Sequence, residues 1–349
     1  MPSFAYMRYF IFILLVTLFL VATNLVQAQA PLATTPIVSD HNRTIIPLKI
    51  DGVPLNFLLD TGASTSLIFK NDRTDKLTNL IHKNGVLVKF PAFRKTSKAV
   101  RVAELPFEME DGFSFILHDI LFLNDPQFID QISGAFDGIV GREIFKQFTI
   151  EIDPLAKQLS LHDPEVNLSK HYPMYHNLAT IDKSPQVILA SQFPWERIPT
   201  RKRLLLDTGY PGGMVIWSRK HFKNVTTKNE REQLSGENSG IFLRMDLQFN
   251  RLLFQRIPIF FGNTAPPTKT RTDGLLGAGL FIQYNHVFDF KRKKLFLRPL
   301  RTEDGKTPPI ALAGIYTPNN ETFITKDYRP KIPSTLRIII NADNSVHHR

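Results

Sequence analysis

The sequence predicts a mainly-β protein of two similar lobes with a cleft between them. Three observations predict it. The tripeptide Asp-Thr-Gly occurs twice, at Asp60-Thr61-Gly62 and Asp207-Thr208-Gly209, and each copy ends an apolar run, Phe57-Leu58-Leu59 and Leu204-Leu205-Leu206. Asp137-Gly138-Ile139-Val140-Gly141 matches Asp273-Gly274-Leu275-Leu276-Gly277 without a gap at an offset of 136 residues, and the match runs on through Phe145 and Phe281, Asp153 and Asp289, and Leu161 and Leu297. The apolar residues fall mostly in short runs bounded by turn residues, a strand pattern. A unit this long, present twice, reads as two lobes and not as a solenoid.

Taken in order, Arg8 precedes an apolar stretch from Tyr9 to Ala22 and then Ala28-Gln29-Ala30. A basic residue, a short apolar segment and a small-residue cleavage site make residues 1–30 a secretory signal peptide. The run is short for a membrane span of about 20 residues, so no stable membrane insertion is expected after cleavage. Residues 31–165 form the first lobe. Thr44 to Ile50 and Val53 to Leu59 are a hairpin turning on Asp51-Gly52. Val86 to Phe90, Val100 to Phe107 and Phe115 to Leu123 are further strands, and Thr149 to Ile152 and Gln158 to His162 close the lobe. Pro164 to Ser184 is polar without a period and is expected to link the lobes. Residues 166–300 form the second, with strands at Val187 to Ala190, Leu204 to Leu206, Phe242 to Phe249, Leu252 to Phe261 and His286 to Leu297. Arg142 to Gln147 and Gly279 to Tyr284 are short helices after the two glycine motifs. Residues 301–349 are a proline-rich tail of unassigned role, with one extra strand expected at Leu336 to Ile340.

The chain's 349 residues are 43% hydrophobic and 11% aromatic, enough for two modest cores. There is no cysteine. That excludes thiol nucleophiles and cysteine-ligated zinc, and it points towards a secreted or periplasmic bacterial protein over a disulfide-rich one. The formal net charge is +11, with clusters at Arg201-Lys202-Arg203 and Lys291-Arg292-Lys293-Lys294. No nucleic-acid signature accompanies the charge, so these clusters are read as solvated turns and strand edges. No H-E-x-x-H stands for zinc, and the glycine order of Gly274 to Gly279 is wrong for a dinucleotide loop. No cofactor and no metal is expected.

The paired Asp-Thr-Gly carries the chemistry. Two carboxylates held together cannot both ionise cheaply, so they share a proton. Such a pair deprotonates a water while protonating a peptide carbonyl. The sequence resembles the pepsin and retroviral-protease superfamily, and most of all the secreted bacterial retropepsin-like proteins with two lobes in one chain. The likeness rests on Asp60-Thr61-Gly62-Ala63-Ser64 with Ile139-Val140-Gly141-Arg142 downstream, and on Asp207-Thr208-Gly209 with Leu275-Leu276-Gly277. It covers roughly residues 44 to 298. It implies a bilobal pepsin-like (duplicated retropepsin-like) acid-protease fold and an aspartic endopeptidase whose catalytic residues are Asp60 and Asp207. Thr61, Gly62, Thr208 and Gly209 would support the catalytic loops, with the threonines gripping each other across the lobes. The partner implied is a peptide or protein substrate, and a monomer suffices. The walls that set peptide preference come from unassigned loops.

Three departures from that family stand out. Ala63 and Tyr210 occupy the place where pepsin-like enzymes carry a hydroxyl, and Pro211-Gly212-Gly213 follows Tyr210. Fewer donors to the carboxylates predict raised dyad pKa values and a mild working pH. Ser64 stands where retroviral enzymes put the acidic partner of the Arg matching Arg142. Pro91 to Ser97 lacks flap residues, which makes Leu234 to Gly240 the better flap candidate. The alternative reading is a catalytically silent peptide-binding protein on the same fold, with Tyr210 and Pro211 filling the water site. A weaker third is an envelope protein attaching through its basic face.

Overall fold

A computed structural model describes residues 30–300 apart from 78–84, 91–94, 133–134, 173, 182–183, 192, 194, 197–199, 227–239, 250–251 and 263–271, together with 323–327, 338–340 and 346–348. Residues 1–29, most of the flap candidate and most of the tail lie outside the described residues.

The first half contains β1 (Ala33–Pro36), β2 (Val38–Asp40), β3 (Arg43–Ile50), β4 (Val53–Leu59), β5 (Leu67–Phe69), β6 (Val86–Phe90), β7 (Lys95–Glu108), β8 (Ser114–Leu123) and β9 (Gly138–Val140). Helices α1 (Pro126–Ile132) and α2 (Arg142–Gln147) flank β9, and β10 (Thr149–Asp153) and β11 (Gln158–His162) follow. Strands β2 to β9 make one sheet in the order β2-β3-β4-β9-β5-β8-β7-β6. The hairpin of β3 and β4 turns on Asp51 and Gly52, whose φ angles of 49° and 76° are the left-handed pair a tight two-residue turn needs. In β3 the fully buried Ile46, Leu48 and Ile50 alternate with half-buried Pro47 and Lys49, the period of a strand lying over a core.

The second half contains β12 (Met174–Ile181), β13 (Ser184–Ser191), β14 (Thr200–Asp207), β15 (Met214–Trp217), α3 (Arg219–Val225), β16 (Gly240–Phe249), β17 (Leu252–Gly262), β18 (Gly274–Gly277), α4 (Ala278–Phe281), β19 (Tyr284–Asp289) and β20 (Lys294–Pro299). Beyond it, β21 (Phe323–Asp327) runs parallel to β16, and β22 (Ile338–Ile340) pairs with β23 (Val346–His348). The second sheet has 13 strands, β1-β11-β10-β19-β20-β12-β13-β14-β18-β15-β17-β16-β21.

That order joins the halves. Strand β10 pairs with β19 (Ile150 opposite Phe288, Ile152 opposite His286), and β1 pairs with β11. The rings of Phe145 and Phe288 meet edge to face at 5.4 Å, so one apolar core runs through the junction. The fold is a mainly-β, bilobal, pepsin-like one. The segment expected to be an irregular link contains a 3-10 turn (Leu168–His171) and β12, which pairs with β20 from Met174 opposite Leu297 to Asn177 opposite Lys294. Its polar look has a cause: Tyr175 and Asn177 face solvent. The run from His286 to Leu297 is two strands and a turn, with Lys293 in the left-handed region at φ 55°.

Candidate functional site

Each Asp-Thr-Gly is delivered by a buried strand. The last three residues of β4, Phe57, Leu58 and Leu59, are at most 3% exposed and run parallel to β9. Strand β14 runs parallel to β18 in the same way, with Asp207 opposite Gly277. The glycine motif exists because β9 and β18 are each pressed between two neighbours. A Cβ on Gly138 would lie 2.3 Å from the Leu67 carbonyl oxygen, and one on Gly274 would lie 1.9 Å from that of Val215. The Asp that opens the motif fixes the delivering strand. Asp137 accepts the Asn56 amide at 2.8 Å, and Asp273 accepts the Arg203 amide at 2.7 Å.

The two loops then cross. The Thr61 amide donates to Thr208 Oγ1 at 3.0 Å, and the Thr208 amide to Thr61 Oγ1 at 3.1 Å. Thr61 Oγ1 donates to the Leu206 carbonyl at 2.9 Å, and Thr208 Oγ1 to that of Leu59 at 2.8 Å. Both threonines are buried, so these four bonds replace water completely. The resemblance implied this grip, and the geometry contains it.

Asp60 and Asp207 stand above the grip, half-buried and hydrogen-bonded to each other side chain to side chain. Asp60 Oδ1 accepts the Gly62 amide at 2.7 Å and, across the lobes, the Gly209 amide at 3.1 Å. Asp207 Oδ1 accepts the Tyr210 amide at 3.2 Å. Burial pushes the Asp60 carboxyl above its ordinary range, against the pull of the Gly62, Gly209 and Ala63 amides. Asp207 is pushed well above the ordinary range, by burial first and by the Asp60 charge second. Two carboxyls so close and both raised share a proton, with the larger push on Asp207. The direction agrees with the sequence-based expectation, but the cause is burial and like charge, since backbone amides do reach both carboxyls.

The departures take definite places. Ala63 brings no hydroxyl, and its carbonyl accepts from the Arg142 amide at 3.0 Å and from Arg142 Nε at 3.3 Å. The neighbouring Glu143 holds the loop with its carboxyl: the Ser66 amide and Oγ both lie 3.1 Å from it, and Ser66 Oγ accepts the Gly141 amide. Sequence reasoning missed Glu143; its one signal was an acid beside Arg142 at a helix start. On the second lobe the Tyr210 ring lies against its own loop. A Cβ on Gly212 would meet it at 2.5 Å, and so would one on Gly277. The Pro211 carbonyl accepts from Asn42 Nδ2 at 3.0 Å, a buried tie to the N-terminal segment that no motif announced. Tyr210 and Pro211 thus pack into the loop structure. The glycines from Gly274 to Gly279 serve that packing, since a Cβ on Gly279 would lie 2.7 Å from the Pro211 carbonyl oxygen. Thr96 and Ser97, in the segment noted for lacking flap residues, belong to β7 opposite Lys89 and Val88.

Among the described residues no three His, Asp or Glu side chains gather as a metal would require, and no helix is long and apolar enough to cross a membrane.

No protein-family model matches this chain, and no curated protein does. Among solved structures it is similar to the basic 7S globulin from soybean, at 13% identity and a TM-score of 0.47 over 77% of this chain and 95% of that one. It is also similar to conglutin gamma, a basic 7S globulin from lupine seeds, at 14% identity and a TM-score of 0.49 over 80% and 98%. Both are named as globulins and neither as a peptidase, so the assignment to the secreted bacterial retropepsin-like peptidases and the expectation of an aspartic-type hydrolase are corrected and not carried forward. The physical reason lies in the loops. Thr61 and Thr208 are required by the grip, Gly62 and Gly209 by the closeness of the opposing carboxyls, and the aspartates by the amides they accept. The motif is demanded by the crossing itself, whether or not a water is activated above it.

Proposed function

We propose that this chain is a catalytically silent peptide-binding protein, holding an extended chain over the Asp60–Asp207 pair. The observation that carries the reading is the unsymmetrical pair. Asp60 collects amides from both lobes, and of the two raised carboxyls Asp207 is pushed the further, so a pair sharing one proton offers an acceptor beside a donor. One fixed donor beside one fixed acceptor complements a peptide group, which carries one C=O and one N–H. Turnover asks more of the pair, because charge must be stabilised as it moves onto the carboxyls. Ala63 brings no hydroxyl to its side of the pair.

A second feature supports an extended partner. Strand β6 ends its sheet and pairs only with β7 among the described residues. It exposes Leu87 (72%) and Val86 (46%), with Lys89 and Lys98 exposed nearby. An open edge of this kind adds a strand by main-chain bonds, and its charge favours an acidic, partly apolar peptide. The protein acts outside the cytoplasm on this reading, exported by residues 1–30 and complete as a monomer.

The test is a fluorescence-anisotropy titration with a library of acidic-apolar peptides, followed by mass spectrometry of the peptides after long incubation. Peptides should bind and return intact at every pH from acid to neutral, the side towards which both carboxyls are raised. Asp60→Asn should weaken binding. Cleavage by the wild type that disappears in Asp60→Asn overturns the reading.

A further inference from the structure

Beneath the grip lies a cavity of about 460 Å³, lined by Leu59 and Thr208 but by neither aspartate of the pair. Its size falls in the range of small-molecule sites, about 300–1,000 Å³. The walls come from three directions: Ile37 from the N-terminal segment, Ile152 from β10, and Phe281 and Leu300 from the second half. All four are at most 8% exposed.

One of the buried polar wall residues is a histidine. His286 is 3% exposed and sits between Phe281 and Phe288, at ring distances of 5.1 and 5.3 Å. Its Nδ1 lies 2.9 Å from the Tyr284 carbonyl, which can only accept, so Nδ1 carries the hydrogen. Nε2 is then a lone-pair acceptor with no partner among the described residues. Burial pushes the imidazole pKa down to about 4, so the ring is neutral at ordinary pH. An acceptor on the cavity wall that no group of the described residues meets is a place for a ligand's donor.

The mouth has a different character. Val38 and Leu155 line the cavity while 59% and 55% exposed, so apolar surface continues out to solvent. Arg43 there is already bound to Asp40. Lys157, exposed and also a lining residue, has no ion-pair partner among the described residues.

We propose that this cavity binds a small amphiphile: a ring-sized apolar body, a hydroxyl that donates to His286 Nε2 at the buried end, and a carboxylate that meets Lys157 at the mouth. The site is separate from the peptide site. A ligand in it touches Leu59 and Thr208, one residue from each half of the grip.

Calorimetric titration with 3-(4-hydroxyphenyl)propionate tests this. Binding should weaken about five- to tenfold for 3-phenylpropionate, which lacks the donor, and about threefold for 4-ethylphenol, which lacks the charge at an exposed lysine. Val38→Trp, at an exposed position, should close the mouth and abolish binding of all three while peptide binding persists. Absence of heat with every probe, equal affinity for the three, or undiminished binding in Val38→Trp overturns the proposal.

Discussion

The Gly209 amide donates to Asp60 Oδ1 at 3.1 Å, so the loop of one lobe directly holds the carboxyl of the other. The approach leaves no room for a side chain: a Cβ at residue 209 would lie 2.5 Å from Asp60 Oδ2, and one at residue 62 would lie 2.7 Å from Asp207 Cγ. Each lobe's glycine is a wall of the other lobe's carboxyl site.

Gly209→Ala is therefore expected to force Asp60 aside, destabilising the protein by about 1–3 kcal/mol, the usual cost of overpacking. Peptide affinity should fall with it. Urea denaturation and peptide titration of the same sample measure both. An unchanged midpoint would mean that the loops separate freely.

The threonine grip should be strongly cooperative. Thr61→Val keeps the shape but leaves the Leu206 carbonyl without its donor and the Thr208 amide without its acceptor. Two buried unmet groups cost about 2–5 kcal/mol. Thr208→Val strands the Leu59 carbonyl and the Thr61 amide in the same way. The double variant should lose less than the sum, because the first loss already admits water to the crossing. Strict additivity in denaturant midpoints would contradict this, and Thr61→Ser should restore most of the loss.

Asp207→Asn should stabilise the protein at neutral pH. The folded-state pKa of Asp207 is raised by burial and by the Asp60 charge, so the wild type is penalised as pH climbs from the ordinary carboxyl value of 3.8 through the folded value. The amide carries no such penalty. The gain in melting temperature should be present at neutral pH and vanish in strong acid. A gain independent of pH would place its origin elsewhere.

His286 contributes with the opposite sign. Its folded pKa lies near 4, against 6.5 for the ordinary side chain, because burial disfavours the charged ring. The unfolded chain takes up the proton first as pH falls. The stability tied to neutral His286 is complete above about pH 6.5 and drains away towards pH 4, amounting to roughly 3 kcal/mol. Denaturation midpoints for wild type and His286→Gln should converge as pH falls through that window. His221, whose pKa is also lowered by burial, is common to both proteins and cancels in the comparison.

Much of this was legible in the sequence, and what was not has identifiable causes. The hairpin of β3 and β4 and the helix from Arg142 to Gln147 are specified locally, by a turn dipeptide and a glycine start, and both lie where the sequence puts them. The pairing of β12 with β20 depends on partners more than a hundred residues apart, and a half-exposed strand leaves little periodicity to read. The same division runs through the site. The aspartates, threonines and glycines announce themselves by repetition. Glu143 and Asn42 act on one loop each and have no counterpart in the repeat, so nothing marked them. Whether the pair turns over a peptide was illegible for a deeper reason: the residues that would do so are the ones the loop crossing already needs.

The pairing of β10 with β19 has a consequence for synthesis. A ribosome delivers β10 more than a hundred residues before β19 exists, so the growing chain presents a bare strand edge over that stretch of its production. Half of this protein made alone would keep that edge, and with it a surface on which identical halves could join by backbone pairing and precipitate. Completion of the chain is what shields it.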